Sequence, residues 1–341
     1  MSKSVDGTGS AAASRVDNAA TYVGGADALL RRLEWTVLRR LDGLLQGDYR
    51  TLMRGAGLDL ADLREYQHSD DVRHIDWNVT ARLNQPHVRQ FTEDRELTAW
   101  FLLDLSGSVD FGSLARTKRA VSTEFVAALA RLLTRRGNRV GALLFGNTVD
   151  AVLPVGGGRN HVLNLLKRMQ DFKPPESTTS TQLTGLLQAA HQIIPRRAMV
   201  FVVSDFVSAP GWADAMAHLS QKHEVLAVRL FDPTELDLPD VGWMTMQDAE
   251  TGEQVLVDTA DAGFRERFKA LAEEAEAALR SALGRAGVDT LELSTDDDLV
   301  NTLMRFTEMR RARSRLSAAA TLPAHLSASS AAPISFAGAS S

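Results

Sequence analysis

Several residue types and patterns are missing from this sequence of 341 residues. It has no cysteine, which excludes disulfide bonds and thiolate metal sites and is consistent with a reducing compartment. No stretch approaches the roughly 18 uninterrupted apolar residues that a membrane helix needs. The N-terminus lacks the basic segment and apolar core that are typical of a signal peptide. We therefore expect a cytoplasmic protein without a membrane span.

The sequence also lacks the motifs of several large enzyme classes. The P-loop pattern Gly-x-x-x-x-Gly-Lys-[Ser/Thr] is absent, and so are His-Glu-x-x-His and Gly-x-Ser-x-Gly. The glycine run at 156–158 lacks the wider dinucleotide-binding fingerprint, so we interpret it as a turn before a helix. A formal net charge of -5 does not suggest a general affinity for nucleic acid.

What the sequence does contain, from residue 97 onward, is an alternation of apolar strand patterns and helical patterns. Strands are predicted at 97–104, 139–145, 150–154, 199–204, 225–230 and 290–293. Helices are predicted at 116–136, 160–169, 183–194, 213–221, 260–286 and 299–313. This order predicts an α/β fold with a doubly wound, mainly parallel sheet and right-handed crossovers.

The chain divides into four predicted regions. Residues 1–20 are rich in Ser, Gly and Ala and are expected to be disordered. Residues 21–96 hold an N-terminal helix, an irregular polar stretch over 50–84 and a strand at 87–92. Residues 97–313 form the α/β domain, with a hairpin insertion near 241–259. Residues 314–341 are mostly Ala and Ser and are predicted to be a disordered tail.

The most informative motif follows the first strand of the α/β domain. Asp104, Ser106 and Ser108 place one carboxylate and two hydroxyls within a few residues, and Gly107 allows a tight turn between them. Hard oxygen ligands suit Mg²⁺ or Mn²⁺. Two further polar segments, 180–183 and Ser204-Asp205, are expected at the same sheet edge, because ligands bind at the carboxyl ends of parallel strands.

These residues resemble the metal-ion-dependent adhesion site of von Willebrand factor A-type domains. The resemblance implies that Thr181 and Asp205 complete a metal site with Asp104, Ser106 and Ser108. Gln182 departs from the Asp or Asn that usually follows this Thr. The alternative interpretation is a polar turn, in which the two serines cap the next helix and Asp104 accepts backbone N–H groups.

A second resemblance extends over most of the chain, from Leu38 to Phe306. The segments that carry it are Arg64–Trp77, Thr80–Arg82, Val88–Glu96, Gly137–Gly141, Leu144–Gly146, Asp232–Glu235 and Asp248–Thr259. They are similar to the bacterial domain-of-unknown-function family fifty-eight, although Ser69 stands where glycine is usual. Members of that family carry an A-type domain. The resemblance implies partnership with a MoxR-type AAA+ ATPase.

The segment before the α/β domain alternates positive and negative charges. This alternation favours internal ion pairs over a phosphate-binding stripe, which would carry one sign. One interpretation is a small charged subdomain held to the sheet by ion pairs. The other is a docking surface near the metal site, with four candidate partner-binding residues: Arg73, Asp76, Arg82 and Arg95.

The sequence thus predicts a non-enzymatic, metal-dependent protein-interaction module that acts as an adaptor between a MoxR-type ATPase and a client protein complex. One alternative is an RNA-binding A-type module, based on the arginines at 64–95 and 305–315, although the acidic net charge opposes it. A second alternative is a Mg²⁺-dependent phosphoryl-transfer enzyme that uses Asp104. Such enzymes often carry a second carboxylate two residues on, where this chain has Ser106.

Overall fold

The structure, a computed structural model, describes residues 25–34, 62–67, 72, 75, 77–83, 85–90, 97–112, 116–173, 181–247 and 254–320. The predicted disordered segment at 1–20 lies outside these residues, and so does the part of the predicted tail after 320. Arg73, Asp76 and Arg95 also lie outside them.

Helices and strands alternate along the α/β domain. The helices are α1 (Gly25–Leu33), α2 (Trp77–Leu83), α3 (Lys118–Arg135), α4 (Gly158–Asp171), α5 (Leu183–Ile193), α6 (Trp212–Lys222), α7 (Ala262–Ala286) and α8 (Leu299–Ala320). The strands are β1 (Asp62–Glu65), β2 (His87–Gln90), β3 (Thr98–Asp104), β4 (Arg139–Phe145), β5 (Val149–Gly156), β6 (Met199–Ser204), β7 (Glu224–Phe231), β8 (Trp243–Gln247), β9 (Gln254–Asp258) and β10 (Asp289–Ser294). None of these described helices has the length and apolar character needed to cross a bilayer.

Six of the strands form one sheet in the order β10-β7-β6-β3-β4-β5. All neighbouring strands are parallel except β5, which pairs antiparallel with β4 at one edge. The chain leaves β3 towards β4 on one side and later returns to β6 on its other side. The switch point of this doubly wound sheet therefore lies between the carboxyl ends of β3 and β6, where ligands bind in such folds. The predicted fold class is confirmed.

Each face of the sheet buries its own apolar cluster. Along β3, Phe101 and Leu103 point into a cluster with α1, α3, α4 and α8, whereas Trp100 and Leu102 point into one with α5, α6 and the end of α7. Successive side chains of a strand point to opposite faces, so a strand buried on both sides needs a continuous apolar run. The sequence Ala99–Leu103 provides that run.

Local signals account for where the long helices begin and end. Thr117 caps α3 by accepting a hydrogen bond from the Ala120 N–H, and Asp261 caps α7 by accepting one from the Gly263 N–H. Gly137, with φ 83°, follows α3, and Gly287, with φ 66°, ends α7. Glycine adopts this left-handed conformation without the steric cost that a side chain would impose.

The structure differs from the sequence prediction in three places. The stretch predicted as irregular over 50–84 contains β1, which pairs antiparallel with β2, and α2. The N-terminal helix packs against α3 and α4 and so belongs to the main core rather than to a separate region. The last helix continues to Ala320, past the predicted start of the tail at 314, because alanine, arginine and leucine in this stretch favour helix.

Candidate metal centre

The carboxyl ends of β3 and β6 bring Asp104 beside Ser204. The two strands pair in parallel up to Leu103 and Val203, so the next residue of each lies at the same sheet edge. Ser204 Oγ donates a hydrogen bond to Asp104 Oδ2 at 2.6 Å, and the Ser106 N–H donates one to Asp104 Oδ1 at 3.0 Å. The Asp104 side chain is thereby fixed in orientation by two donors.

The two motif serines lie in the turn directly after Asp104. Gly107–Asp110 forms a 3-10 turn, and it places Ser106 Oγ 3.2 Å from Ser108 Oγ. Ser106 stands at the N-cap position of this turn, but its side chain makes no capping hydrogen bond. The interpretation of these serines as helix caps is therefore not supported for Ser106. The other part of that alternative, Asp104 accepting a backbone N–H, is observed in the hydrogen bond from Ser106.

The third predicted segment is held against the loop that follows β6. The Thr181 carbonyl accepts hydrogen bonds from Ser208 Oγ at 2.8 Å and from the Ala209 N–H at 3.0 Å. Ser208 Oγ also accepts a hydrogen bond from the Leu183 N–H at 3.0 Å. Thr181 thus lies beside the segment that carries Asp205. All five predicted site residues are buried, with at most 6% of each exposed: Asp104, Ser106, Ser108, Thr181 and Asp205.

Asp104 and Asp205 are close enough for their charges to interact. Burial, and then repulsion from the Asp205 carboxylate, raise the pKa of Asp104 to about 6, although the hydrogen bonds from Ser204 and Ser106 oppose this rise. Asp104 ends β3 and Asp205 directly follows the neighbouring parallel strand β6, so both residues stand at one sheet edge, and the sharing of an ion between them stays a prediction.

Sequence reasoning missed a buried lysine at this site. Lys118 is 1% exposed, and its Nζ lies 2.8 Å from Asp205 Oδ2 and 2.7 Å from Glu235 Oε1. Burial alone would lower the pKa of Lys118, but the two carboxylates raise it above its ordinary value, so the ammonium stays charged. One signal could have revealed it: Lys118 lies three residues before Val121, on the apolar stripe of α3.

The backbone directly after Asp205 is also unusual. Phe206 has φ 60°, a left-handed conformation that is costly for a residue with a bulky side chain. Its ring packs 5.1 Å from the Trp212 ring, and its N–H donates a hydrogen bond to Ser204 Oγ. The Val207 N–H donates to Asp205 Oδ1 at 3.1 Å. Strained residues of this kind cluster at functional sites.

The residues at this site suit a divalent cation in donor chemistry and in charge. Two carboxylates and three hydroxyl side chains form a set of hard oxygen donors. When ionised, the carboxylates of Asp104, Asp205 and Glu235 outnumber the single Lys118 ammonium, and the excess of two negative charges equals the charge of one divalent ion. Within the described residues, no group of three or more His, Cys, Asp or Glu side chains could hold a metal, so this site differs from carboxylate- or histidine-rich centres.

Of the four candidate partner-binding residues, Arg82 alone falls in the described part of the chain. It lies in the last turn of α2 and is exposed. The structure therefore leaves the prediction of a charged docking surface as it stands.

Comparison with known proteins identifies relatives over most of the chain. The model of a family described as "Protein of unknown function DUF58" matches residues 62–278. Uncharacterised proteins from Mycobacterium tuberculosis and Mycobacterium bovis are each 36% identical to the chain over 284 residues, which is 83% of this chain and 89% of theirs.

Solved structures with a similar fold are more distant. BatB from Bacteroides thetaiotaomicron is 14% identical with a TM-score of 0.39, and the match covers 64% of this chain and 99% of BatB. The SpRpn10 VWA domain is 12% identical with a TM-score of 0.36, and the match covers 62% of this chain and 95% of that domain. These similarities concern the fold alone.

Proposed function

This chain belongs to the DUF58 family of proteins of unknown function, and from that membership and the site described above we propose that it is a metal-dependent protein-interaction module. The module holds Mg²⁺ or Mn²⁺ at the switch point of its sheet and binds a carboxylate of a partner protein there. The observation that supports this proposal is the burial of Asp104 and Asp205 at one sheet edge, with the Ser106 side chain hydrogen-bonded to Asp104 and Ser108 Oγ 3.2 Å from Ser106 Oγ.

Both proposed carboxylate ligands are held in orientation by neighbouring groups. Asp104 is positioned by Ser204 and by the Ser106 N–H, and Asp205 by the Val207 N–H and Lys118. Ser106, Ser108 and Thr181 supply the hydroxyls. A bound Mg²⁺ would accept oxygen ligands in octahedral geometry and keep waters that a partner's carboxylate can replace.

The ionisable groups at the site favour binding over catalysis. Lys118 is held in its charged form by two carboxylates, so it has no free pair of electrons to act as a base. Asp104 accepts hydrogen bonds through both of its oxygens. Groups fixed in this way are suited to holding an ion and orienting a partner.

We further propose that the partner is a MoxR-type AAA+ ATPase in the cytoplasm, and that the chain acts as its adaptor towards a client protein complex. This part of the proposal is supported by the family resemblance. Because a charge-assisted contact depends on orientation, a metal-bridged carboxylate would fix how the two proteins dock.

The test combines direct ion binding with partner capture. Isothermal titration with MgCl₂ and MnCl₂ should detect an ion bound to the protein, and Asp104→Ala should abolish it. Retention of the ATPase on immobilised protein should fall with EDTA and with Asp104→Ala. The matched control is Asp214→Ala, which removes an exposed carboxylate on α6 and should change neither result. Retention that withstands both EDTA and Asp104→Ala would contradict metal dependence.

A further inference from the structure

Lys118 occupies a position that opposes a positive charge in two ways. It is the first residue of α3, where the helix dipole disfavours cations, and its side chain is 1% exposed, where an unpaired charge is costly. A buried positive charge at such a position is stable when neighbouring groups of negative charge pair with it. Those groups are Asp205 and Glu235, which come from two different loops at the carboxyl edge of the sheet.

The two carboxylates that contact Lys118 are held differently. Asp205 follows β6 and belongs to the proposed ion site, and its other oxygen accepts a hydrogen bond from the Val207 N–H. Glu235 ends the 3-10 turn Pro233–Glu235, and its other oxygen accepts a hydrogen bond from the Asp232 N–H at 3.0 Å, as part of a capping box. Glu235 is therefore an anchor for Lys118 that does not depend on Asp205.

We propose that the Lys118 ammonium is the built-in counter-ion of Asp205, which a divalent cation must displace, so that Lys118 lowers the ion affinity of this site. Without the ion, the ammonium contacts both Asp205 and Glu235. When the ion binds, the Lys118 ammonium stays paired with Glu235 and no longer contacts Asp205 Oδ2. The inference rests on the proposed metal site, and it adds a residue that sets how readily that site is filled.

Charge alone gives the sign of the effect. A positive group within 3 Å of a ligand oxygen repels a divalent cation that approaches the same oxygen, and this repulsion is strong in a buried site. Displacement leaves no unpaired charge, because Glu235 keeps the ammonium. A purely structural role for Lys118 predicts the reverse sign, since Asp205 would lose its orientation when the lysine is removed.

The experiment measures the dissociation constant for Mn²⁺ and Mg²⁺ by isothermal titration, with the full chain and its Lys118→Met variant. We expect Lys118→Met to bind the ion on the order of tenfold more tightly, or better. Lys118→Gln, which keeps a polar group that can contact both acids, serves as the second variant if Lys118→Met does not fold, and it should also bind more tightly. Arg131→Met is the matched control, because it removes a positive charge from the same helix, where Arg131 pairs with Glu34.

The outcomes separate this inference from the proposed function. Equal or weaker ion binding by both lysine variants would overturn the inference and leave the metal site standing. Tighter binding by Arg131→Met, to the same extent as by Lys118→Met, would overturn it too, because the effect would then be one of overall charge. If neither the wild-type protein nor any variant binds an ion, the metal site fails and the inference fails with it.

Glu235→Gln provides a variant with the opposite expected sign. The substitution removes the charge of Glu235, so Asp205 is the one of these two carboxylates that still pairs with Lys118. The ion should therefore bind about tenfold more weakly than in the wild-type protein. Ion binding by Glu235→Gln that is as tight as that of Lys118→Met would contradict the assignment of Glu235 as the alternative anchor.

Discussion

Asp104 carries a charge at a position where burial and a neighbouring carboxylate both oppose it. Its pKa, raised from 3.8 to about 6, means that the folded protein binds this proton more tightly than the unfolded chain does. Its contribution to stability is therefore fully present at low pH and is lost as the pH rises through about 6. Above that pH the ionised carboxylate is a cost that a bound cation can offset.

This linkage predicts that Mg²⁺ stabilises the protein more at about pH 7.5 than at about pH 5, because the ion must compete with a proton for Asp104 at the lower pH. With Mg²⁺ at ~100 times its dissociation constant, the gain at the higher pH should be about 2.7 kcal/mol. Thermal unfolding with and without MgCl₂ measures it. Asp104→Asn should remove most of the gain, and an equal gain at both pH values in the wild-type protein would contradict the prediction.

His223 gives a pH dependence of the opposite sign. It is buried at the end of α6, and neither of its ring nitrogens has a hydrogen-bond partner among the described residues. Burial, and then the nearby Lys222 and His191, lower its pKa from 6.5 to about 4. Because the unfolded chain binds the proton more readily, stability is lost as the pH falls from about 6.5 to about 4.

We predict that His223→Leu reduces the loss of stability on acidification by about 2 kcal/mol over this range. Urea denaturation at a series of pH values measures the difference between the variant and the wild-type protein. Asp104 has the opposite slope in an overlapping pH range, so the contribution of His223 is the difference between the two curves rather than the slope of either one. A pH profile for His223→Leu that is parallel to the wild-type profile would show that His223 is not the group responsible.

The helix α7 illustrates how a largely exposed element is fixed to the sheet. It has 25 residues, of which Leu283 and Ala286, near its end, are buried. Arg229 of β7 supplies a second attachment: it pairs with the Glu276 carboxylate of α7, with one contact of 2.8 Å, and its guanidinium lies 5.1 Å from the Phe231 ring centroid. A buried arginine that loses its partner is strongly destabilising.

Glu276→Ala is therefore expected to lower the free energy of unfolding by about 3 kcal/mol, because it leaves Arg229 buried without its main partner. Glu292→Ala is the matched control: Glu292 contacts the same guanidinium at 3.4 Å, but its side chain is 45% exposed. Its loss should cost less than about 0.5 kcal/mol. Urea denaturation measures both. Equal effects of the two variants would show that burial of the pair does not decide its strength.

Elements buried on both faces could be predicted from sequence, whereas elements held by pairing could not. The apolar runs of β3 and β6 are visible locally, and both strands were predicted within one residue of their bounds. By contrast, β1 is short and polar and exists through its pairing with β2. The Lys118–Glu235 contact joins residues 117 positions apart, and local patterns carry no information on such a pair.

At the scale of the whole molecule, the core extends beyond the region matched by the family model. Residues 62–278 exclude α1, β10 and α8. Yet Leu30 of α1 and Phe306 of α8 lie in the same apolar cluster as Phe101 at the centre of the sheet. A fragment limited to 62–278 would also lose an edge strand, because β10 pairs with β7.

The core therefore depends on a helix at the start of the chain, and a single substitution can test this. Leu30→Ala should lower the free energy of unfolding by about 3 kcal/mol, since it removes a side chain with no exposed surface and leaves a cavity between α1 and the helices it packs on. Leu271→Ala is the control: this leucine of α7 is 68% exposed, and its loss should cost less than about 0.5 kcal/mol. Chemical denaturation measures both variants. If α1 were an appendage outside the cooperative unit, Leu30→Ala would leave the global transition unchanged, and residues 62–278 alone would unfold as cooperatively as the full chain.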